Sequence, residues 1–207
     1  MGKIKAVIFD FGGVLVRMVD DRPRQKLAEE LKVPISRLDD LVFFSDTAKK
    51  ASNGEIKVSQ HWKAVGEALG IQPEGMPDFL ERYWSADDVN WELLGFIKNL
   101  HPHYKVGLLS NAWDDLRKTM HERWNMDVLF DDLVISAEVG IVKPDPRIFH
   151  LAVERLGVQP AEAVFIDDMQ INVEAARQQG LKAIQFLDTR QTLARLQIVL
   201  DAVDRSG

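Results

Sequence analysis

Five short apolar runs constrain the fold of this chain more than any other feature. They cover residues 4–9, 105–109, 133–135, 163–166 and 183–187. Most are rich in Val, Ile, Leu or Phe and lack polar alternation, as strands covered on both faces do. From the second run onward they alternate with helical patterns at residues 113–124, 147–156, 172–179 and 191–203. That rhythm predicts a parallel, doubly wound sheet of the α/β class. Pro146 suits a first helical position, and Gly157 and Gly180 suit helix ends.

One gap breaks the rhythm. Nearly a hundred residues separate the first run from the second. Within it, residues 24–31, 35–44, 59–69 and 77–84 have helical spacing, punctuated by Pro34, Asn53-Gly54 and Pro73. Residues 17–88 are therefore expected to form a small α-helical bundle inserted into a core of residues 1–16 and 89–207. Residues 91–100 read as a core helix leading into the second strand. An insertion after the first strand would cap the sheet's carboxyl edge, where ligands bind in such folds.

Bulk properties exclude several functions. The 207 residues suffice for one sizeable core plus a subdomain. A net charge of −6 argues against a basic face for nucleic acid. There is no cysteine, so disulfides, thiol nucleophiles and Cys-bound zinc are excluded. No apolar run approaches the roughly 18 residues of a membrane span. The start, Met1 to Lys5, leads straight into a strand-like run, so no signal peptide is expected. Ala6 stands where a myristoylation signal wants Ser or Thr. The expected setting is cytoplasmic, and the expected partner is a small molecule, with no nucleic acid and no membrane. Monomer and homodimer both remain open.

Polar groups punctuate the carboxyl ends of the expected strands. Asp10 follows Ala6-Val7-Ile8-Phe9, and Ser110-Asn111 follows Val106-Gly107-Leu108-Leu109. Lys143 lies in Gly140-Ile141-Val142-Lys143-Pro144, and Asp167-Asp168 follows Val164-Phe165-Ile166. In a parallel sheet these ends share one edge. The residue types suit phosphate chemistry. A carboxylate can attack phosphorus and divide one hard step into two. A hydroxyl, an amide and an ammonium can hold the transferring oxygens. A second carboxylate can hold Mg²⁺ through hard oxygen ligands. Gly12-Gly13 carry no Cβ, so backbone amides can approach a phosphate.

Phe9-Asp10-Phe11-Gly12-Gly13-Val14-Leu15 resembles the first motif of the haloacid dehalogenase superfamily. Leu109-Ser110-Asn111 resembles its second motif, Lys143-Pro144-Asp145-Pro146 its third, and Phe165-Ile166-Asp167-Asp168 its fourth. The resemblance covers the whole chain and implies the capped branch of that superfamily. It implies a Mg²⁺-dependent phosphatase acting on a phosphorylated small metabolite such as a sugar phosphate. Asp10 then resembles the nucleophile and a metal ligand, and Ser110 and Asn111 the phosphate-binding pair. Lys143 resembles the lysine that neutralises both nucleophile and phosphate. Asp168 matches the metal carboxylate, with Asp167 as a second candidate. Gly12 would offer its carbonyl to Mg²⁺. Asn172 stands where many members carry another acidic residue.

Position 12 departs from the pattern. Most phosphatases of the superfamily carry Asp there as general acid and base, and losing such a group typically costs about 10²–10⁴ in rate. An acidic leaving group would make the loss tolerable. A cap residue such as His61, or water, could otherwise replace it. Trp62, Trp84, Arg17 and Asp20 are placed where they could meet substrate. The alternatives are a 2-haloacid dehalogenase, whose halide needs no proton, and a non-catalytic ligand-binding or interaction protein. That dehalogenase branch typically has Tyr at position 12, has Ser-Ser-Asn in place of Asp167-Asp168-Met169, and dispenses with metal.

Overall fold

The computed structural model describes residues 3–101 and 103–204. Among the described residues, seven strands form two sheets. The main one contains β1 (Ala6–Phe9), β4 (Lys105–Ser110), β5 (Asp132–Ile135), β6 (Ala163–Asp167) and β7 (Lys182–Gln185), in the order β5-β4-β1-β6-β7. All its pairings are parallel. The other two strands, β2 (Val16–Met18) and β3 (Asp87–Val89), form an antiparallel pair.

Apolar residues point to both faces of the main sheet, which explains the lack of alternation in the sequence. On one face Val7, Phe9, Val106, Leu108, Val164 and Ile166 pack with Leu93 and Ile97 of α6 (Trp91–Leu100) and with Leu196 of the C-terminal helix. On the other, Ala6, Ile8, Leu109 and Phe165 pack with Ile148, Phe149 and Ala176.

The segment between β2 and β3 contains five α-helices. They are α1 (Arg22–Leu31), α2 (Ile35–Asp39), α3 (Asp46–Ser52), α4 (Val58–Leu69) and α5 (Met76–Tyr83). Leu27, Leu38, Val42, Val65, Phe79 and Tyr83 form a separate core among them. Its two ends meet in the β2–β3 pair, where Val16 lies opposite Val89 and Arg17 opposite Asp88. The remaining helices are α7 (Leu116–Thr119), α8 (Ser136–Val139), α9 (Pro146–Arg155), α10 (Gln170–Gln178) and α11 (Thr189–Asp204). Among the described residues, no helix is long and apolar enough to cross a membrane.

Several boundaries differ from the sequence reading. Residues 35–44 are not one α-helix: α2 stops at Asp39, and Asp40–Phe44 continues as a π-helical turn. The expected helix over 113–124 starts at Leu116 and changes to a π turn at Met120–Trp124. The last strand ends at Gln185, two residues early. Helix α3 has only Ala48 and Ala51 to bury, so its apolar pattern is faint; the Ser45 hydroxyl caps it by accepting from the Ala48 amide at 3.2 Å.

Candidate active site

The topology creates one crevice at the sheet's carboxyl edge. The chain leaves β1 toward β4 on one side, and leaves β6 toward β7 on the other. The switch point therefore lies between β1 and β6, where α/β sheets bind ligands. Phe9 is in register with Leu108 on one side and Ile166 on the other. Asp10, one residue past β1, donates its amide to the Ile166 carbonyl at 2.8 Å. Asp10 and Asp167 thus stand at one level, with Ser110 one residue further along β4.

Lys143 joins them. Its ammonium lies 2.9 Å from Asp10 Oδ1, 2.6 Å from Asp167 Oδ2 and 3.0 Å from the Leu109 carbonyl oxygen. All three side chains are buried. Asn111 fixes the lysine's loop. Its amide nitrogen donates to the Lys143 carbonyl at 2.9 Å, and its side-chain oxygen accepts from the Lys143 amide at 2.7 Å. Asp167 accepts from the Met169 amide at 2.8 Å and from the Asn172 side chain at 3.0 and 3.1 Å. Asn172 therefore orients Asp167. An acid at 172 would face that carboxylate across a hydrogen-bond distance.

Oxygens of Asp10, Asp167 and Asp168 lie within 4.8 Å of one another. Three carboxylates surround one ammonium, so the ionised centre is two positive charges short. Burial pushes the Asp10 carboxyl up to about 6, with Asp167 adding to the effect and Lys143 opposing it. Asp168 is raised by burial and then by Asp167. Burial pulls Lys143 down, but the carboxylates of Asp10 and Asp167 outweigh it and hold it above its ordinary value. Like carboxylates crowded out of water favour a cation between them. The hard oxygen donors and the charge deficit fit Mg²⁺, which takes one or two protein carboxylates and keeps several waters. Asp167 is already engaged by Lys143, Met169 and Asn172, which leaves Asp10 and Asp168 the freer donors.

The two glycines after Asp10 differ. Gly13 has φ +77°, and a Cβ there would lie 2.4 Å from Asp168 Oδ2. Gly13 is thus required twice over, by its backbone and by the carboxylate it abuts. Gly13→Ala should cost about 1–3 kcal/mol of stability from the backbone alone. It should also displace Asp168. Denaturant unfolding and Mg²⁺ titration test this; wild-type values in both would refute it. Gly12 has no such constraint, since a Cβ there meets nothing within 4 Å.

Ser110 is largely buried, and its hydroxyl, which is not wholly closed off from solvent, makes no hydrogen bond among the described residues. It remains available to a ligand. His61 is not: Nδ1 lies 2.9 Å from the Thr47 hydroxyl and Nε2 3.0 Å from the Val42 carbonyl oxygen. Burial lowers its pKa. Both ring nitrogens are engaged inside the helical segment, so the expectation that His61 could replace an acid at position 12 is corrected. Trp62 and Trp84 pack edge-on to each other, at 6.3 Å and 80°. Arg17 lies over the Phe186 ring at 5.3 Å. The sequence reading missed Trp113, which follows Ser110-Asn111 by two residues and packs on Phe43, His61, Trp62 and Trp84. The sequence reading placed it only as the first residue of the helical pattern over 113–124.

A family model described as haloacid dehalogenase-like hydrolase matches residues 4–180. D-ribitol-5-phosphate phosphatase of Bacteroides thetaiotaomicron is 25% identical over 96% of this chain and 100% of its own. A sesquiterpene phosphatase of Aspergillus oryzae is 24% identical over 93% and 94% of the two chains. A HAD family enzyme of Bacteroides thetaiotaomicron, crystallised with magnesium and inorganic phosphate, superposes with a TM-score of 0.73 over 88% of this chain and 93% of its own. Its identity is 24%, so that likeness concerns the fold.

Proposed function

The chain belongs to the haloacid dehalogenase-like hydrolase family, and from that premise we propose that it is a Mg²⁺-dependent phosphatase of small phosphorylated molecules. One observation carries the reading: three carboxylates within 4.8 Å of one another and one buried lysine at the sheet's switch point. Nucleophile, counter-charge and metal donors are then in one place. Two relatives that align along nearly the whole chain are described as phosphatases, which supports the same reading.

Asp10 attacks phosphorus with a carboxylate oxygen. An O–P bond forms to Asp10, and the bond from phosphorus to the leaving oxygen breaks with its electron pair. Water then attacks the aspartyl-phosphate and releases phosphate, returning Asp10 as carboxylate. Lys143 offsets charge on Asp10 and on the phosphoryl oxygens. The Ser110 hydroxyl and the Gly12 backbone amide hold those oxygens, the Phe11 and Gly13 amides being engaged by Asp10 and by the Val16 carbonyl. Asn111 serves through the Lys143 loop. Asp10, Asp168 and the Gly12 carbonyl would hold Mg²⁺, which supplies a fixed positive charge for the phosphoryl group. Residues 17–88 act as a cap over a core of residues 1–16 and 89–207. The working compartment on this reading is the cytoplasm.

The test is turnover of a panel of phosphate monoesters beside a 2-haloacid. Chelation should lower phosphatase turnover by about 10²–10³, the several kcal/mol a Lewis acid contributes. Asp168→Asn should raise the Mg²⁺ concentration needed for half-maximal rate. Undiminished activity after chelation, or release of halide without metal, would overturn the proposal. Gly12 is no handicap to the dehalogenase reading, since a halide needs no proton, but that branch typically has Tyr there, and Asp168 crowds a third carboxylate into a site that such a reaction leaves metal-free.

A further inference from the structure

The segment that covers the site presents an aromatic wall. Phe43 and Phe44 lie at the end of the π turn Asp40–Phe44 and are 39% and 66% exposed. Large aromatic side chains usually find a buried place. The π turn changes the direction in which the end of α2 presents its side chains, and such turns are frequent at functional sites. Phe43 is not loose. It stacks on Trp113 with centroids 6.2 Å apart and planes 13° apart, and meets Trp84 edge-on at 5.9 Å.

Trp113 ties this wall to the catalytic edge. Only Ala112 separates it from Asn111, so its Cα lies within about 7 Å of that residue's. The intervening loop is pinned. The Ala112 amide and carbonyl both bond the Ser136 hydroxyl, at 3.0 and 3.1 Å. Asp114 accepts from the Val58 amide at 2.9 Å and pairs with Lys57 at 3.0 Å, at the start of α4. A molecule whose phosphoryl group sits at Ser110 therefore has its other end within reach of rings held in fixed positions.

Position 12 independently points to the same substrate. Gly12 carries no proton donor, and a Cβ there meets only open space. His61, the residue nearest in kind, has both nitrogens engaged. The leaving oxygen must depart with its electron pair and be protonated by water afterwards. A phenolate does this far more readily than an alkoxide, because the ring delocalises the charge.

We propose that the substrate is a phosphate monoester of an aromatic alcohol, with its ring seated against Phe43 and Trp113. The proposal rests on the phosphatase reading. It assigns Phe43 and Trp113 to specificity and leaves the phosphoryl chemistry to Asp10 and Lys143. The bond broken is P–O(aryl), and the products are a phenol and inorganic phosphate.

The experiment must separate ring recognition from leaving-group acidity. The full chain with Mg²⁺ is assayed on 2-naphthyl phosphate and on hexafluoroisopropyl phosphate, whose leaving group is of comparable acidity but has no ring. Acetyl phosphate serves as a small activated control. The naphthyl ester should have the higher kcat/KM by about tenfold or more. Phe43→Leu keeps most of the volume and removes the ring. It should lower kcat/KM for the naphthyl ester about tenfold, chiefly through KM, the scale of one aromatic contact. The other two substrates should change less than about twofold. Phe44→Ala, at an exposed position, should reproduce part of that loss without affecting folding. Equal kcat/KM for the naphthyl and fluoroalkyl esters, or equal losses on all three substrates in the variants, would overturn the proposal while Asp10-dependent turnover of acetyl phosphate upheld the phosphatase reading. No turnover of any of the three would overturn both.

Discussion

Replacing Asp10 with Asn should abolish turnover and stabilise the metal-free protein. On the proposed mechanism the loss is of the covalent nucleophile, and removing such a group typically costs about 10⁴–10⁶ in kcat. The stability effect has the opposite sign. Burial raises the folded-state pKa of Asp10 to about 6, above the 3.8 of the free side chain. Its ionisation therefore opposes folding. That penalty is absent below the unfolded pKa, grows as pH rises from about 4 to 6, and is fully present above 6. At about 1.4 kcal/mol for each pKa unit, neutralising the group relieves on the order of 1–3 kcal/mol. For a chain of this size that is a rise of several degrees in Tm. Thermal unfolding in chelator at pH 8 should show Asp10→Asn melting above wild type, with the gap narrowing toward pH 4. Added Mg²⁺ should raise the wild-type Tm and close the gap from the other side, since a ligand that binds only the folded state stabilises it. A variant that melts below wild type at pH 8 would mean that pairing with Lys143 outweighs the cost of burial.

The apolar runs carry the sheet in plain view. Residues such as Val7, Ile8, Val164 and Phe165 have nowhere to go but between two layers, and their order prescribes the parallel arrangement. The level at which Asp10 and Asp167 meet, with Ser110 one residue further along its strand, follows from strand register, and that too is legible because each ends its run. What lies beyond the ends of strands is less so. Adjacent residues in an extended chain point to opposite sides. Asp167 therefore turns to Lys143 while Asp168 turns to Gly13, a division that the pair of letters does not announce. Asn111 reads as a phosphate ligand by position, yet its amide holds the Lys143 loop. Spacing gives a place, not a direction.

The helical segment was harder to read for a related reason. An apolar period of 3.6 residues marks which side of a helix is buried, but it does not fix the hydrogen-bond register. Residues 35–44 keep their apolar spacing through the change from α to π at Asp40, and residues 120–124 do the same. The strands β2 and β3 have three residues each, one of them bearing two aspartates, so neither propensity nor alternation marks them. Their pairing is a consequence of where the two ends of the insertion leave and re-enter the core. Phe43, Trp84 and Trp113 come from three separate stretches of sequence. Only the fold brings them to one wall.

Gly12→Asp should convert the enzyme into one that handles poor leaving groups. The position can accept the change: Gly12 lies outside the left-handed region of φ, and a Cβ there meets nothing within 4 Å. The new carboxyl stands two residues beyond Asp10, where most phosphatases of the superfamily carry a general acid. A positioned proton donor contributes about 10²–10⁴ in rate when the leaving oxygen needs its proton in the transition state. Primary alkyl phosphates should gain by that factor, and aryl phosphates with strongly acidic phenols should gain little. Across a series of substituted aryl phosphates, the steep dependence of the phosphorylation step on leaving-group pKa expected for the wild type should flatten in the variant. Single-turnover kinetics isolate that step from hydrolysis of the aspartyl-phosphate, which the same carboxyl would also assist as a base. Equal gains on every substrate would place the effect on the second step alone. A wild-type series that is already flat would mean that another group supplies the proton, and with His61 engaged on both nitrogens that group would have to be a water held in the crevice or a residue brought in by movement of the helical segment.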